Sequence, residues 1–193
     1  MFKDYYDEKR QDRWFLNIMK VMAGEIDSNK VNNISKQTGV SSEEIISRIK
    51  AGDRLVARLL CKDPSRQSIA EECQKDYITS LVGARFVDLP IGQLIYESKD
   101  GRKTQGVDAV IDGYWYATMK VVHGQGSSQT RQRNEAKEFI RISQEVNPKG
   151  VMVIIDEIEG EDISHFNKLI LPENKARVRI LSSDNFKNFK QGK

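Results

Sequence analysis

The stretch that decides the fold is Gly106-Val-Asp-Ala-Val-Ile-Asp-Gly-Tyr-Trp-Tyr-Ala-Thr-Met-Lys120. Two runs rich in β-branched and aromatic residues, at positions 107–111 and 114–122, flank Asp112 and Gly113. Such runs around an Asp-Gly dipeptide are typical of two antiparallel strands joined by a tight turn. The stretch therefore predicts a β-hairpin with an acid, Asp108, on its first strand and a base, Lys120, on its second.

The register of this hairpin decides whether the acid and the base share a face. A strict two-residue turn would pair Asp108 with Ala117 and direct Lys120 to the opposite face, because side chains alternate along a strand. A three-residue loop over residues 111–113, with a bulge beside it, pairs Asp108 with Tyr116 instead. Asp108 and Lys120 then share one face, so we expect the bulged turn or an equivalent slip.

Upstream of this hairpin the apolar spacing is helical. Large apolar residues recur at three- and four-residue intervals, and Gly24 is a plausible stop; they are Trp14, Phe15, Ile18, Met19 and Met22. Ser41, with Glu44 three residues on, has the pattern of a capping box that opens a further helix. A break at residues 63–65 precedes another helix over 66–82, which we expect Ser65 to cap.

The segment 31–50 resembles the first part of a helix-turn-helix in which Gly39 makes the turn. A DNA-reading role is one hypothesis for it, and a packing or dimerisation role is the other.

Downstream of Gly83 strands and helices alternate. The predicted strands cover residues 85–94, 95–98, 151–155 and 177–181 besides the hairpin, and the predicted helices cover 129–146, 163–169 and 185–189. This order predicts the α/β (α+β) class, with a mixed central sheet flanked by helices. We expect a helical N-terminal region at 1–63 and a core domain at 64–193.

Composition narrows the function without assigning it. The 193-residue chain has a net charge of +3, which permits nucleic-acid binding only where positive charge is concentrated locally. Two cysteines and two scattered histidines make no convincing zinc site. No stretch approaches the roughly 20 apolar residues of a membrane span. The N-terminus has no apolar signal core, so we expect a cytoplasmic protein with no membrane partner.

The hairpin resembles the PD-(D/E)xK nuclease superfamily, in which an Asp on one core strand is followed by acid-x-Lys on the next. Gly106-Val-Asp108 and Ala117-Thr-Met-Lys-Val121 match in order and rough spacing, but Thr118 stands where the second acid belongs. The order of elements over roughly residues 65–190 agrees with that core. The resemblance implies a restriction-endonuclease-like fold with its chemistry centred on Asp108 and Lys120.

The missing acid has a candidate replacement in the next helix. Some type II restriction endonucleases take this acid from the helix that follows the lysine, and Glu135 lies fifteen residues after Lys120. The resemblance then implies Mg²⁺ bound by Asp108 and Glu135, with Lys120 orienting or activating the attacking water. The first helix of this core often supplies a further acid, for which Glu72 is preferred over Glu71.

The start of the same helix carries side-chain types that read base edges in the major groove: Arg131, Gln132, Arg133 and Asn134. They are candidate DNA contacts, although a solvated helix start would have the same composition. The Gly/Ser-rich segment 123–128 lacks a phosphate-loop ending, so we interpret it as a flexible loop.

These features predict a type II restriction endonuclease that cleaves duplex DNA at a short specific site with Mg²⁺, most simply as a homodimer on a palindrome. Two alternatives remain: a repair or junction-resolving nuclease on the same core, and a non-enzymatic helix-turn-helix DNA-binding protein. In the last case Asp108 and Lys120 would be an ordinary cross-strand ion pair. Asp112 is interpreted as a turn residue rather than a ligand.

Overall fold

The computed structural model describes residues 1–64, 69–89, 95–104, 106–124, 126–146, 149–159 and 162–191. The chain divides into two units, one spanning Asp4–Ile69 and the other combining Met1–Lys3 with Ala70–Lys193. This boundary falls slightly later than the one expected at 63/64. The predicted cap Ser65 lies outside the described residues.

The N-terminal unit is helical. Its helices are α1 (Phe2–Met22, which starts in the other unit), α2 (Ser28–Thr38), α3 (Ser42–Lys50) and α4 (Arg54–Leu60). Ser41 caps α3 by accepting from the Glu44 amide, as the capping-box pattern predicted. Gly39 ends α2 with a φ of 73°, a left-handed conformation that glycine adopts without steric cost. The helices enclose a small apolar core that includes Val31, Ile45 and Ile49.

The second unit is an α/β layer structure. In chain order it contains α5 (Ile69–Val82), β1 (Phe86–Asp88), β2 (Ala109–Ile111), β3 (Trp115–Val122), α6 (Ser127–Val146), β4 (Gly150–Glu157), two 3-10 helices (Ile163–Leu169 and Pro172–Asn174), β5 (Val178–Leu181) and α7 (Phe186–Gln191). The strands form one sheet in the order β1-β2-β3-β4-β5. The pairs β1/β2 and β2/β3 are antiparallel, and β3/β4 and β4/β5 are parallel. The predicted mixed sheet flanked by helices is confirmed.

Each face of the sheet has its own helical layer. The face of Val122, Val153 and Ile155 packs against Phe139 and Ile140 of α6. The opposite face, which includes Met119 and Ile154, packs against α5 and α7. Seven of the eight β4 residues are buried, as expected of a strand with parallel neighbours and helices on both sides.

The hairpin between β2 and β3 closes one position later than predicted. Asp112 and Gly113 adopt φ angles of 50° and 74°, and the Tyr114 amide donates to the Ile111 carbonyl over 3.1 Å. Ile111 pairs with Trp115, so the loop is 112–114 rather than 111–113. The physical reason is burial: this register places both Ile111 and Trp115 in the core, whereas the predicted one would leave Ile111 in the loop.

Other elements also differ from expectation. The strand predicted over 95–98 is limited to one bridge between Glu97 and Lys103, and the helix predicted over 163–169 is a 3-10 helix. The helix predicted over 129–146 begins at Ser127, so the loop before it is shorter than predicted. The strand predicted over 85–94 is limited to Phe86–Asp88, and residues 90–94 lie outside the described residues.

Strand β4 begins in close contact with the hairpin. A Cβ atom at Gly150 would lie 2.5 Å from Cε3 of Trp115 and 2.6 Å from Cε1 of Tyr114. The backbone of β4 therefore approaches these two rings more closely than any side chain at position 150 would permit.

Candidate active site

Asp108 lies directly before β2 and is held by contacts with β3. Its amide donates to the Ala117 carbonyl over 2.9 Å. Ala109 pairs with Ala117, so the continuation of this register places Asp108 opposite Thr118. Its Oδ2 atom accepts from the Thr118 hydroxyl over 2.9 Å and from the Met119 amide over 2.7 Å. These two bonds fix the orientation of a carboxylate that is still 22% exposed.

Lys120 reaches the same carboxylate from β3. Its Nζ atom lies 3.7 Å from Oδ2 of Asp108, and the lysine side chain is only 13% exposed. Lys120 pairs with Ile155 in the parallel ladder, which places it on the face covered by α6. Relative to the predicted pairing with Tyr116, Asp108 is displaced by two residues, and a two-residue displacement preserves the face. Asp108 and Lys120 therefore share a face.

The pair places a carboxylate that could hold a hard cation beside a positively charged ammonium group. Both hydrogen bonds to Asp108 fall on Oδ2; among the described residues, no hydrogen bond reaches Oδ1. Oxygen ligands from one or two carboxylates are what Mg²⁺ commonly takes from a protein, because it retains several of its waters. Asp108 is suited to hold such an ion, and Lys120 places a positive charge a few ångströms away.

Glu135 lies on α6, which covers the same face. Its carboxylate is 16% exposed and pairs with Nε of Arg131 over 3.3 Å. It lines a cavity of about 410 Å³ together with Lys103, Thr104 and Asn134. Glu135 is thus a half-buried acid beside a cavity that also holds basic side chains.

The complete carboxylate set predicted for a metal is not assembled. Across the described ranges, no group of three or more His, Cys, Asp or Glu side chains is gathered closely enough to hold a metal ion. Glu72 is exposed on α5, the helix that packs against the other face of the sheet. Glu71, on the same helix, pairs with Lys75, which also contacts Asp88. Glu71 and Glu72 therefore belong to a different layer from Asp108 and Lys120.

The four predicted DNA contacts have different surroundings. Arg131 is 75% exposed, Asn134 is exposed, and Gln132 is half-buried. Arg133 instead points inward and forms a two-pronged ion pair with Glu157, with nitrogen–oxygen distances of 2.9 and 2.7 Å. Arg133 and Glu157 are only 12% and 3% exposed. Arg133 therefore holds α6 to the end of β4 and is withdrawn from the surface that a nucleic acid would reach.

A buried polar network behind Lys120 was missed by the sequence analysis. Nε2 of Gln74, a fully buried residue of α5, donates to the Lys120 carbonyl over 3.1 Å and to Oδ2 of Asp156 over 2.7 Å. Asp156 also accepts from the Ser183 amide and hydroxyl, over 2.9 and 2.6 Å. An acid directly after the apolar run of β4 was a signal for this network, whereas nothing around Gln74 distinguished it from a surface residue.

Burial raises the pKa of Asp156 above its ordinary value, and the hydrogen bonds from Ser183 and Gln74 oppose that rise only in part. The network has no cation among the groups that bond to Asp156, which is why desolvation dominates.

No protein-family profile, curated protein or solved structure matches this chain. In the described part of the chain, none of the helices is both long and apolar enough to cross a membrane.

Proposed function

We propose that this chain is a Mg²⁺-dependent deoxyribonuclease of the PD-(D/E)xK superfamily, acting as a type II restriction endonuclease on duplex DNA. One observation carries the proposal: Asp108, directly before β2, and Lys120 of β3 lie with 3.7 Å between Oδ2 and Nζ, on the face covered by α6. The order α5, three antiparallel strands, α6 and two parallel strands supports it, because the resemblance implies this order of elements.

In this mechanism Asp108 would hold the cation, and Glu135 would be the second acid. Mg²⁺ held there would supply positive charge to the scissile phosphate. Lys120 donates a hydrogen bond to the attacking water and stabilises the negative charge that forms when this water passes its proton to the solvent. Thr118 and the Met119 amide keep the Asp108 carboxylate in one orientation while DNA enters and leaves.

The DNA-facing surface in this proposal is the first half of α6. Arg131 and Asn134 project from it, and the positive end of the helix dipole lies close by. Arg133 is excluded because its charge is already paired with Glu157. A homodimer would present two such helices to the two halves of a palindromic site.

The test is digestion of a fully sequenced phage DNA with Mg²⁺, followed by mapping of the fragment ends. We expect discrete fragments whose ends share one short sequence. Asp108→Asn and Lys120→Ala should each lower the rate on the order of 10²–10⁴-fold, the usual contribution of a positioned ligand or proton-transfer group.

Asp88→Asn is the matched control. Asp88 is also a strand carboxylate paired with a lysine, but it lies on β1 opposite Ala109 and contacts Lys75 of the other layer. Its substitution should leave cleavage within about twofold of the parent protein, since surface changes are usually energetically small.

The outcomes of this digestion distinguish the proposed function from its two alternatives. Heterogeneous ends, or cutting only of branched substrates, would favour a repair or junction-resolving nuclease. DNA binding without cleavage in any divalent metal, unchanged by Asp108→Asn and Lys120→Ala, would favour a non-enzymatic protein that binds through α2 and α3. The left-handed turn at Gly39 between these helices supports this second candidate function, because a helix-turn-helix needs such a turn.

A further inference from the structure

One side of α1 presents acidic and apolar side chains that remain exposed within the described part of the chain. Glu8, Asp12, Phe15, Leu16 and Met19 are all exposed, the three apolar residues to 55%, 54% and 42%. At about 100° per residue, Glu8, Asp12, Phe15 and Met19 fall within one narrow arc of the helix, with Leu16 at its edge. We call these five residues the α1 stripe. Its first half is negatively charged and its second half is apolar.

The same N-terminal unit contains an apolar groove of about 710 Å³. Its apolar lining comes from Trp14, Ile34, Leu55 and Leu59, and the two leucines of α4 are 69% and 63% exposed. We call this the α4 groove. Exposed apolar side chains that border a concave surface are typical of a protein interaction site rather than of scattered surface residues.

The charges around the α4 groove are mainly positive. Lys30, Arg58 and Lys62 line it, against the single acid Asp63. Lys30 is engaged with the carbonyls of Leu60 and Cys61 and Arg58 stacks on Trp14, so both cations are held in place at the groove. An occupant that combines apolar side chains with carboxylates matches this surface.

The α1 stripe has that composition, but it cannot enter the groove of its own chain. Trp14, on the same helix, lines the groove, and Phe15 is rotated from it by about 100°. The stripe is therefore separate from the groove that its own helix helps to form. A second copy of the chain carries the same stripe on a surface that is free to approach.

We propose that two copies of this chain associate through their N-terminal units, with the α1 stripe of each copy seated in the α4 groove of the other. Phe15 and Met19 contact Leu55 and Leu59 of the partner copy. Glu8 and Asp12 lie near Arg58 and Lys62 of the partner copy. The contact occurs twice about a two-fold axis, which doubles the apolar area removed from water. It requires no catalysis and stands independently of the nuclease proposal.

Sedimentation velocity of the full chain tests the association. The wild type should sediment with twice the 22.1 kDa chain mass, and Leu55→Lys should return it to a single chain mass. Val87→Lys is the matched control. Val87 is, like Leu55, an exposed apolar residue, with 59% of its surface accessible, but it lies on β1. The control should remain dimeric.

Charge reversal tests the pairing itself. A groove variant, Arg58→Glu with Lys62→Glu, and a stripe variant, Glu8→Lys with Asp12→Lys, should each weaken self-association at least about tenfold, because each places like charges together. Mixed in equal amounts, they should form a heterodimer, since each stripe then meets a groove of opposite charge.

Circular dichroism on each variant confirms that its helices are intact. A monomeric wild type, a dimer that neither charge reversal weakens, or a mixture that fails to associate would each overturn the proposal. Because sedimentation needs no DNA and no Mg²⁺, a failure here is distinguishable from a failure of the nuclease proposal.

Discussion

The hydroxyl of Thr118 donates to Oδ2 of Asp108 over 2.9 Å, at the position where the PD-(D/E)xK pattern has its second acid. A carboxylate there would add negative charge beside Asp108, whereas the hydroxyl adds a hydrogen bond that fixes its orientation. In this chain residue 118 therefore orients the Asp108 carboxylate instead of adding a second one.

Loss of the Thr118 hydroxyl should impair the proposed nuclease without abolishing it. A hydrogen bond to a charged group contributes about 1.5–3 kcal/mol, so Thr118→Val should lower the single-turnover rate by roughly 10- to 100-fold. Thr118→Ser keeps the hydroxyl and should stay near the parent rate. A Thr118→Val enzyme as active as the parent would show that the hydrogen bond does not orient Asp108.

Arg133 and Arg131 should separate stability from DNA binding. Removing one member of a buried ion pair costs about 3–5 kcal/mol, so Arg133→Ala should lower the free energy of unfolding by that amount in urea titrations. Arg131→Ala, at a 75% exposed position, should change it by no more than about 0.5 kcal/mol while weakening DNA binding. Native stability in Arg133→Ala would contradict the structural role of its pair with Glu157.

Asp156 should make stability depend on pH with an unusual sign. In the folded state the pKa of Asp156 is raised above the ordinary 3.8. At a pH between 3.8 and this raised pKa, the folded protein holds a proton that the unfolded chain has released. The contribution of Asp156 to stability is therefore present at low pH and is lost as pH rises through the folded-state pKa. Asp156→Asn removes this dependence.

The comparison is made by urea unfolding at a series of pH values from 3.8 upward. The free energy of unfolding of Asp156→Asn minus that of the parent should rise with pH, by at most about 1.4 kcal/mol per unit, and then level off. A difference that stays flat or falls over this range would show that ionisation of Asp156 does not destabilise the folded protein.

Asp112 should behave as a turn residue and not as a metal ligand. Its Oδ1 accepts from the Arg85 amide over 3.0 Å, and its φ of 50° is one that Asn tolerates. Asp112→Asn should retain both stability and cleavage, whereas Asp112→Val should lose about 1–2 kcal/mol of stability because of the left-handed backbone. Loss of Mg²⁺-dependent cleavage in a stable Asp112→Asn protein would instead favour the ligand role.

The shared face of Asp108 and Lys120 was predictable only with a three-residue loop. Because side chains alternate with a period of two, moving that loop by one position shifts the pairing by two residues and keeps the face. The position of the loop was not predictable, because it depends on whether Ile111 or Tyr114 is buried. Packing against α5 and α7 decides which of the two is buried. Helix α3 was predictable from the local bond between Ser41 and Glu44.

The candidate site was less predictable where partners are distant in the sequence. Arg131 to Asn134 form one polar run, but successive helix positions diverge by about 100°, and Arg133 alone meets Glu157. Gln74 joins Lys120 and Asp156 across 46 and 82 positions. Such contacts depend on the stacking of layers, which no local pattern encodes.

The start of β4 has a consequence for recognising relatives of this chain. Because even a methyl group at position 150 would overlap the rings of Trp115 and Tyr114, a homologous chain that retains these aromatic residues must retain glycine there. A glycine at the first position of an apolar strand, together with an Asp-Gly turn followed by three aromatic residues, is therefore a signature for searching genomes. It depends on packing between the hairpin and β4, so it should persist in relatives that lack Asp108 or Lys120.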